Sequence, residues 1–100
     1  MWVALAALVW LVTLVAASPR DAEGLMLRGA AREMLGDAAG AESDYRAARE
    51  ANPGFGAPSL RLASLLVRSE RFDDAKAILR EHLARRPDDR LASGLLRSLP

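Results

Sequence analysis

Two patterns divide the chain. From Trp2 to Ser18 the run WVALAALVWLVTLVAAS holds no ionisable side chain. Beyond Arg20, apolar positions recur at the three-and-four spacing of amphipathic helices. Leu25 and Gly29 share one such stripe; Ala41, Tyr45 and Ala48, then Leu62, Ala63 and Leu66, then Ala75, Leu79 and Leu83 form others. The pattern predicts helices over Ala22–Leu35, Ala38–Ala51, Ala57–Ser69 and Phe72–Arg85, with a shorter one over Asp89–Ser98. The first four pair as two antiparallel hairpins.

Breakers support these limits. Gly36 and Asp37 separate the first pair, and the Asp37 carboxylate is placed to accept backbone N–H bonds at the start of the next helix. Asn52-Pro53-Gly54 ends that helix. Gly54 and Gly56 punctuate the linker that follows, and Pro58 is tolerated in a first helical turn. Asp88, after Pro87, is read as the cap of the last helix.

At about 1.5 Å per residue the amino-terminal run makes roughly 25 Å of helix, inside the range of a minimal membrane span. Pro19, Arg20 and Asp21 close it. Residues 1–18 are therefore expected to be a transmembrane anchor or uncleaved signal, and residues 19–100 a helical domain. The competing reading is a signal peptide cleaved after Val15-Ala16-Ala17, which releases a secreted or periplasmic domain acting as an oligomeric structural component. The absence of Lys or Arg before the run, and its length, weigh against cleavage. Arg20, Arg28 and Arg32 all follow the run, a bias that favours a cytoplasmic tail, with the side left open. The expected location is single-pass in a membrane, a bacterial inner membrane. Trp2 suits the interface; Trp10 falls near mid-span, against lipid or another helix.

An offset of 34 residues superimposes Pro53 on Pro87, Ala41 on Ala75, Tyr45 on Leu79 and Gly29 on Ala63. With these residues the tail resembles the tetratricopeptide repeat family, whose unit is a helix hairpin of that length. The first unit, about 22–55, carries Leu25, Gly29, Ala41, Tyr45, Ala48 and Pro53. Its successor, about 56–89, carries Leu62, Ala63, Leu66, Ala75, Leu79 and Pro87. The resemblance implies an all-α fold: an amino-terminal transmembrane helix, then a short α–α superhelix of two such hairpins, with a cap helix over 89–98. Arg28 and Arg32 depart from it, standing where the second unit has Leu62 and Leu66. They are read as a solvent-facing edge at which the array begins. His82 replaces the small Ala48, and Ser59 a larger apolar residue.

The family binds peptides on a concave face lined by the first helix of each hairpin. Carried over, that face holds Met26, Ala30, Glu33 and Met34 from the first unit, with Leu60, Ser64, Val67 and Arg68 from the second. Members that clamp acidic carboxy-terminal peptides carry Lys and Asn there, and neither occurs among these positions. An apolar peptide or helix is the partner implied, with Met26 and Met34 as adaptable contacts.

Charge and inventory narrow the chemistry. Fourteen Lys and Arg against thirteen Asp and Glu leave a formal charge of +1, too little to hold nucleic acid by neutralising phosphates. Cysteine is absent and His82 is the single histidine, so disulfides, thiol nucleophiles and Cys/His metal sites have no ligands. Glu81 points roughly 100° away from His82 on a helix, and Ser43, Ser69 and Ser93 lack a base. Neither an enzyme nor a cofactor is expected. Asp73-Asp74 and Asp88-Asp89 suit helix starts. Gly54-Phe55-Gly56 lacks the Gly-Lys-Ser of a phosphate loop. Arg20, Arg28 and Arg32 form either a basic face toward anionic lipid or a solvated edge.

The expected function is non-catalytic: a membrane-tethered assembly or scaffold factor, similar in layout to anchored repeat proteins of cytochrome c maturation. Two hairpins fall below the three or more that usually stabilise such stacks, so a protein partner or a homo-oligomer is expected.

Overall fold

Helix after helix follows from the spacing of apolar residues, and no strand interrupts them among the described residues, 2–16 and 20–100 of this computed structural model. The helices are α1 (Trp2–Ala16), α2 (Ala22–Met34), α3 (Ala38–Ala51), α4 (Ala57–Arg68), α5 (Phe72–Arg85) and α6 (Arg90–Ser98). The chain divides into two compact units, one reaching to Gly54 and the other running from Phe55 to Pro100.

In the first unit α2 packs on α3, and α1 contacts α2. Both hairpin helices start on a carboxylate: Asp21 accepts from Gly24 N at 3.2 Å, and Asp37 from Gly40 N at 2.8 Å, each satisfying one of the donors a helix start leaves open. The seam is set by small residues. A Cβ added at Gly29 would lie 2.7 Å from the Tyr45 ring, so only glycine lets the backbone of α2 come this close. Ala41, Tyr45 and Ala48 are fully buried beneath it.

In the second unit α4 packs on α5, and α6 on α5. Leu62, Ala63, Leu66, Ala75 and Leu79 form an almost purely apolar core. Pro58 sits in the first turn of α4, where its missing N–H costs nothing. Here the expected carboxylate caps differ. Asp73 and Asp74 lie inside the first turn of α5, with Arg71 at the cap and no side-chain cap bond. Asp74 instead pairs with Arg71 at 2.9 Å. The last helix is capped by Asp89 rather than Asp88, through Ala92 N at 3.1 Å.

Both hairpins turn in the same way. Gly36, at φ +86°, and Glu70, at φ +58°, hold equivalent positions in left-handed backbone. The following amide, of Asp37 or Arg71, then reaches back to the carbonyl of Arg32 or Leu66 at 2.8 and 2.9 Å.

Of the spanning helix expected over residues 1–18, the described part is α1. α1 has 15 residues, about 22 Å of helix against a hydrocarbon core of about 30 Å. No helix among the described residues is long and apolar enough to cross a membrane. The stop expected at Ser18 and Pro19 lies outside the described residues.

Candidate binding surfaces

Of the expected binding residues, Met26, Ala30, Glu33 and Met34 lie along α2, and Leu60, Ser64, Val67 and Arg68 along α4. Spacings of three and four keep each set on one side of its helix. On α2, Met26 and Ala30 are half-buried and Met34 is 73% exposed. Glu33 has a structural engagement: its Oε1 accepts the Tyr45 hydroxyl at 2.6 Å, tying α2 to α3. On α4, Leu60 and Val67 are half-buried, while Ser64 and Arg68 are exposed. The two sets belong to different units.

Arg28 and Arg32, expected as a solvated or lipid-facing edge, turn inward across the first hairpin. Arg28 grips Asp44 in bidentate fashion, Nε to Oδ2 at 2.9 Å and Nη2 to Oδ1 at 2.8 Å, and Arg32 Nη1 reaches the same Oδ1 at 3.0 Å. The cause is the carboxylate itself. Asp44 is only 2% exposed, and a charge so far from water requires opposite charge and hydrogen bonds to be tolerable. The hydrogen bond to Asp44, followed by its charge, raises the Arg28 guanidinium above its ordinary pKa against the opposing effect of burial. Arg32 Nε is buried without a hydrogen-bond partner, 4.0 Å from Asp37 Oδ2. Of the three arginines read as a lipid-facing or solvated edge, Arg20 is exposed while Arg28 and Arg32 are half-buried.

His82 has a comparable structural role in the second unit. It is buried on α5, and its Nε2 lies 2.6 Å from Asp89 Oδ2 while Oδ1 of the same carboxylate caps α6. Asp89 therefore joins the core of one helix to the start of the next. Its carboxyl titrates below the usual range, chiefly through the His82 hydrogen bond and then through the Ala92 N–H. The His82 side chain is buried and that of Asp89 is partly exposed. Among the described residues no group of three acidic or imidazole side chains is arranged to hold a metal ion.

Neither contact joins adjacent residues, so neither is visible to a scan for neighbouring charges. A signal does exist: under the 34-residue offset Arg28, Arg32 and Asp44 stand over Leu62, Leu66 and Ile78. Three columns switch from charged to apolar together.

Among the described residues, most of the exposed large hydrophobic side chains lie on α1, Trp2, Val3, Val9 and Trp10 among them. Leu11, Leu14 and Val15 are half-buried.

The family model of the tetratricopeptide repeat matches residues 34–99. No curated protein matches the chain. Among solved structures, it is similar to the first TPR of Spaghetti (RPAP3) bound to HSP90 peptide SRMEEVD, with a TM-score of 0.72 and 23% identity, over 91% of this chain and 74% of that one. At this identity the likeness establishes the fold alone.

Proposed function

Because the chain belongs to the tetratricopeptide repeat family, we propose that it works without catalysis, by capturing an apolar peptide or helix of another protein on the apolar strips that the first helix of each hairpin offers, α2 in one unit and α4 in the other. The observation that carries this reading is their chemistry. In the first unit Met26 and Ala30 offer partly open apolar surface along with the exposed Met34, and in the second Leu60 and Val67 do so; such surface gains free energy when a partner removes it from water. The structural neighbour is bound to the HSP90 peptide SRMEEVD. An acidic ligand of that kind finds little charge to pair with here, since Arg28 and Arg32 are committed to Asp44 and Arg68 is the single cation among the expected binding residues.

The proposal includes a tether. The open apolar side chains of α1 support insertion of this helix into lipid, which raises the effective concentration of the module for partners at the same surface. This is the arrangement of an assembly or scaffold factor.

Binding of the full chain to a labelled Leu-rich amphipathic helical peptide, compared with SRMEEVD, tests the reading. Leu60→Glu lies on a half-exposed position, so helicity should persist while affinity for the apolar peptide falls about tenfold or more. Unchanged affinity, or preference for SRMEEVD, overturns the proposed surface. Co-sedimentation with phosphatidylcholine vesicles tests the tether, and a chain left in the supernatant refutes it.

A further inference from the structure

α1 leans on α2 by one end. Every residue from Trp2 to Trp10 is exposed, and Leu11, Leu14 and Val15 beyond them are half-buried. Nine consecutive residues make about two and a half turns, so the first part of the helix stands clear on every side. Contact with α2 is confined to the last turns.

The other half of this contact is legible on α2. Gly29, against the Tyr45 ring, marks the side of α2 that faces α3, and Ala31 lies roughly 200° further round the helix. Ala31 is nevertheless only 1% exposed. Within this unit the other helix packed on α2 is α1, so the end of α1 is what covers Ala31.

Lipid competes for that same end. α1 carries no charge, and its single hydroxyl, that of Thr13, already donates to the Val9 carbonyl at 2.8 Å. With no polar side to leave in water, it differs from helices that lie along a bilayer surface and suits full immersion. α2 cannot follow it, since Glu23, Arg28, Arg32 and Glu33 would be carried into hydrocarbon. Held on α2, α1 has residues 2–10 to place in lipid, about 14 Å of helix where the hydrocarbon core is about 30 Å. Freed, it places all 15 of its residues there. The balance favours release. Trp2, Val3, Val9 and Trp10, each more than half open, exchange water for acyl chains, whereas Leu11, Leu14 and Val15 exchange one apolar cover for another.

We propose that α1 has two exclusive positions, closed on α2 in water and inserted in lipid, and that insertion removes the cover from Ala31. This rests on the tether reading above and adds that the tether is also a latch on the first hairpin. By linkage, whatever binds the uncovered flank of α2 strengthens membrane attachment by the same factor.

The chain has no cysteine, so single introduced thiols report cover directly. In the full chain, Ala31→Cys should react with a charged maleimide at least about tenfold faster on phosphatidylcholine vesicles than in buffer. Ala41→Cys, in the 0% exposed heart of the hairpin, should stay protected in both, and the exposed Ser43→Cys should react in both. Brominated acyl chains give a second measurement that leaves Ala31 untouched. With Trp2→Phe, Trp10 is the only tryptophan and should be quenched. Adding Trp10→Phe and Leu14→Trp moves the only tryptophan to the docked end, and it should be quenched as well. If Trp10 is quenched while Leu14→Trp stays bright, or while Ala31→Cys stays protected, α1 inserts without leaving α2 and the latch alone is overturned. Exposure of Ala41→Cys together with Ala31→Cys assigns the change to opening of the hairpin and overturns it too. A chain whose Trp10 escapes quenching and which stays in the supernatant refutes the tether reading along with the latch.

Discussion

Where the first hairpin carries Arg28, Arg32 and Asp44 across its seam, the second carries Leu62, Leu66 and Ile78 in the same columns. The turns match, down to the left-handed backbone at Gly36 and Glu70. One backbone geometry is thus filled in two chemically opposite ways. The apolar set contributes residue by residue, each side chain adding its own burial. The ionic set is conditional, because desolvation offsets much of its attraction, and removing one member strands a buried charge. An ionic seam is consequently brittle, whereas an apolar one degrades by degrees.

Transplanting one seam into the other gives the largest expected effect. Arg28→Leu with Arg32→Leu leaves Asp44 buried and unpaired, and should cost about 3–5 kcal/mol in urea unfolding. Adding Asp44→Ile completes the apolar set and should return stability to within about 1 kcal/mol of the parent, or above it. A triple variant no more stable than the double would show that the columns are not equivalent.

Next in size is the close approach at Gly29. Gly29→Leu should overpack the seam against Tyr45 at a cost of about 1–3 kcal/mol. Pairing Gly29→Ala with Tyr45→Leu, the combination found at Ala63 and Leu79, should recover most of what Gly29→Ala alone loses. Additive losses would contradict the shared geometry.

Smaller again is the turn. Glu70→Gly removes a side chain from left-handed backbone and should raise the thermal midpoint, a gain of about 0.5–1 kcal/mol. Gly36→Ala should lower it comparably.

The least effect is expected at Asp89. Its native carboxyl titrates below the unfolded value, so the ionised form stabilises the fold at neutral pH, and that contribution is lost as pH falls from about 4 through the native value. The parent should therefore exceed Asp89→Asn in stability near neutrality, with the gap closing in acid. A gap that widens in acid would reverse the assignment.

How far these features were legible depends on their range in sequence. Helix limits rest on local signals, and the limits read for α3 and α5 coincide with those observed; α2 and α4 stop one residue sooner, at Met34 and Arg68. The family was legible because Ala41 and Pro53 recur as Ala75 and Pro87 at a fixed spacing, with Tyr45 answered by another large side chain, Leu79. Arg28 and Arg32 look like a solvated edge in the sequence because their partner lies on another helix, 16 and 12 residues away. The cap at Asp88 was displaced to Asp89 because His82 also recruits that carboxylate, a tertiary preference invisible in a cap motif. The expected binding strips were traced through the resemblance, which could not reveal that Glu33 is held by the hydroxyl of Tyr45.

That last contact also supplies a spectroscopic handle. Tyr45 is the chain's only tyrosine, sealed in the first hairpin with its phenol held by a carboxylate. The second hairpin has neither tyrosine nor tryptophan. The near-ultraviolet signal of Tyr45 therefore reports the opening of one hairpin alone, and its difference from the far-ultraviolet melting curve measures how cooperatively the two halves unfold.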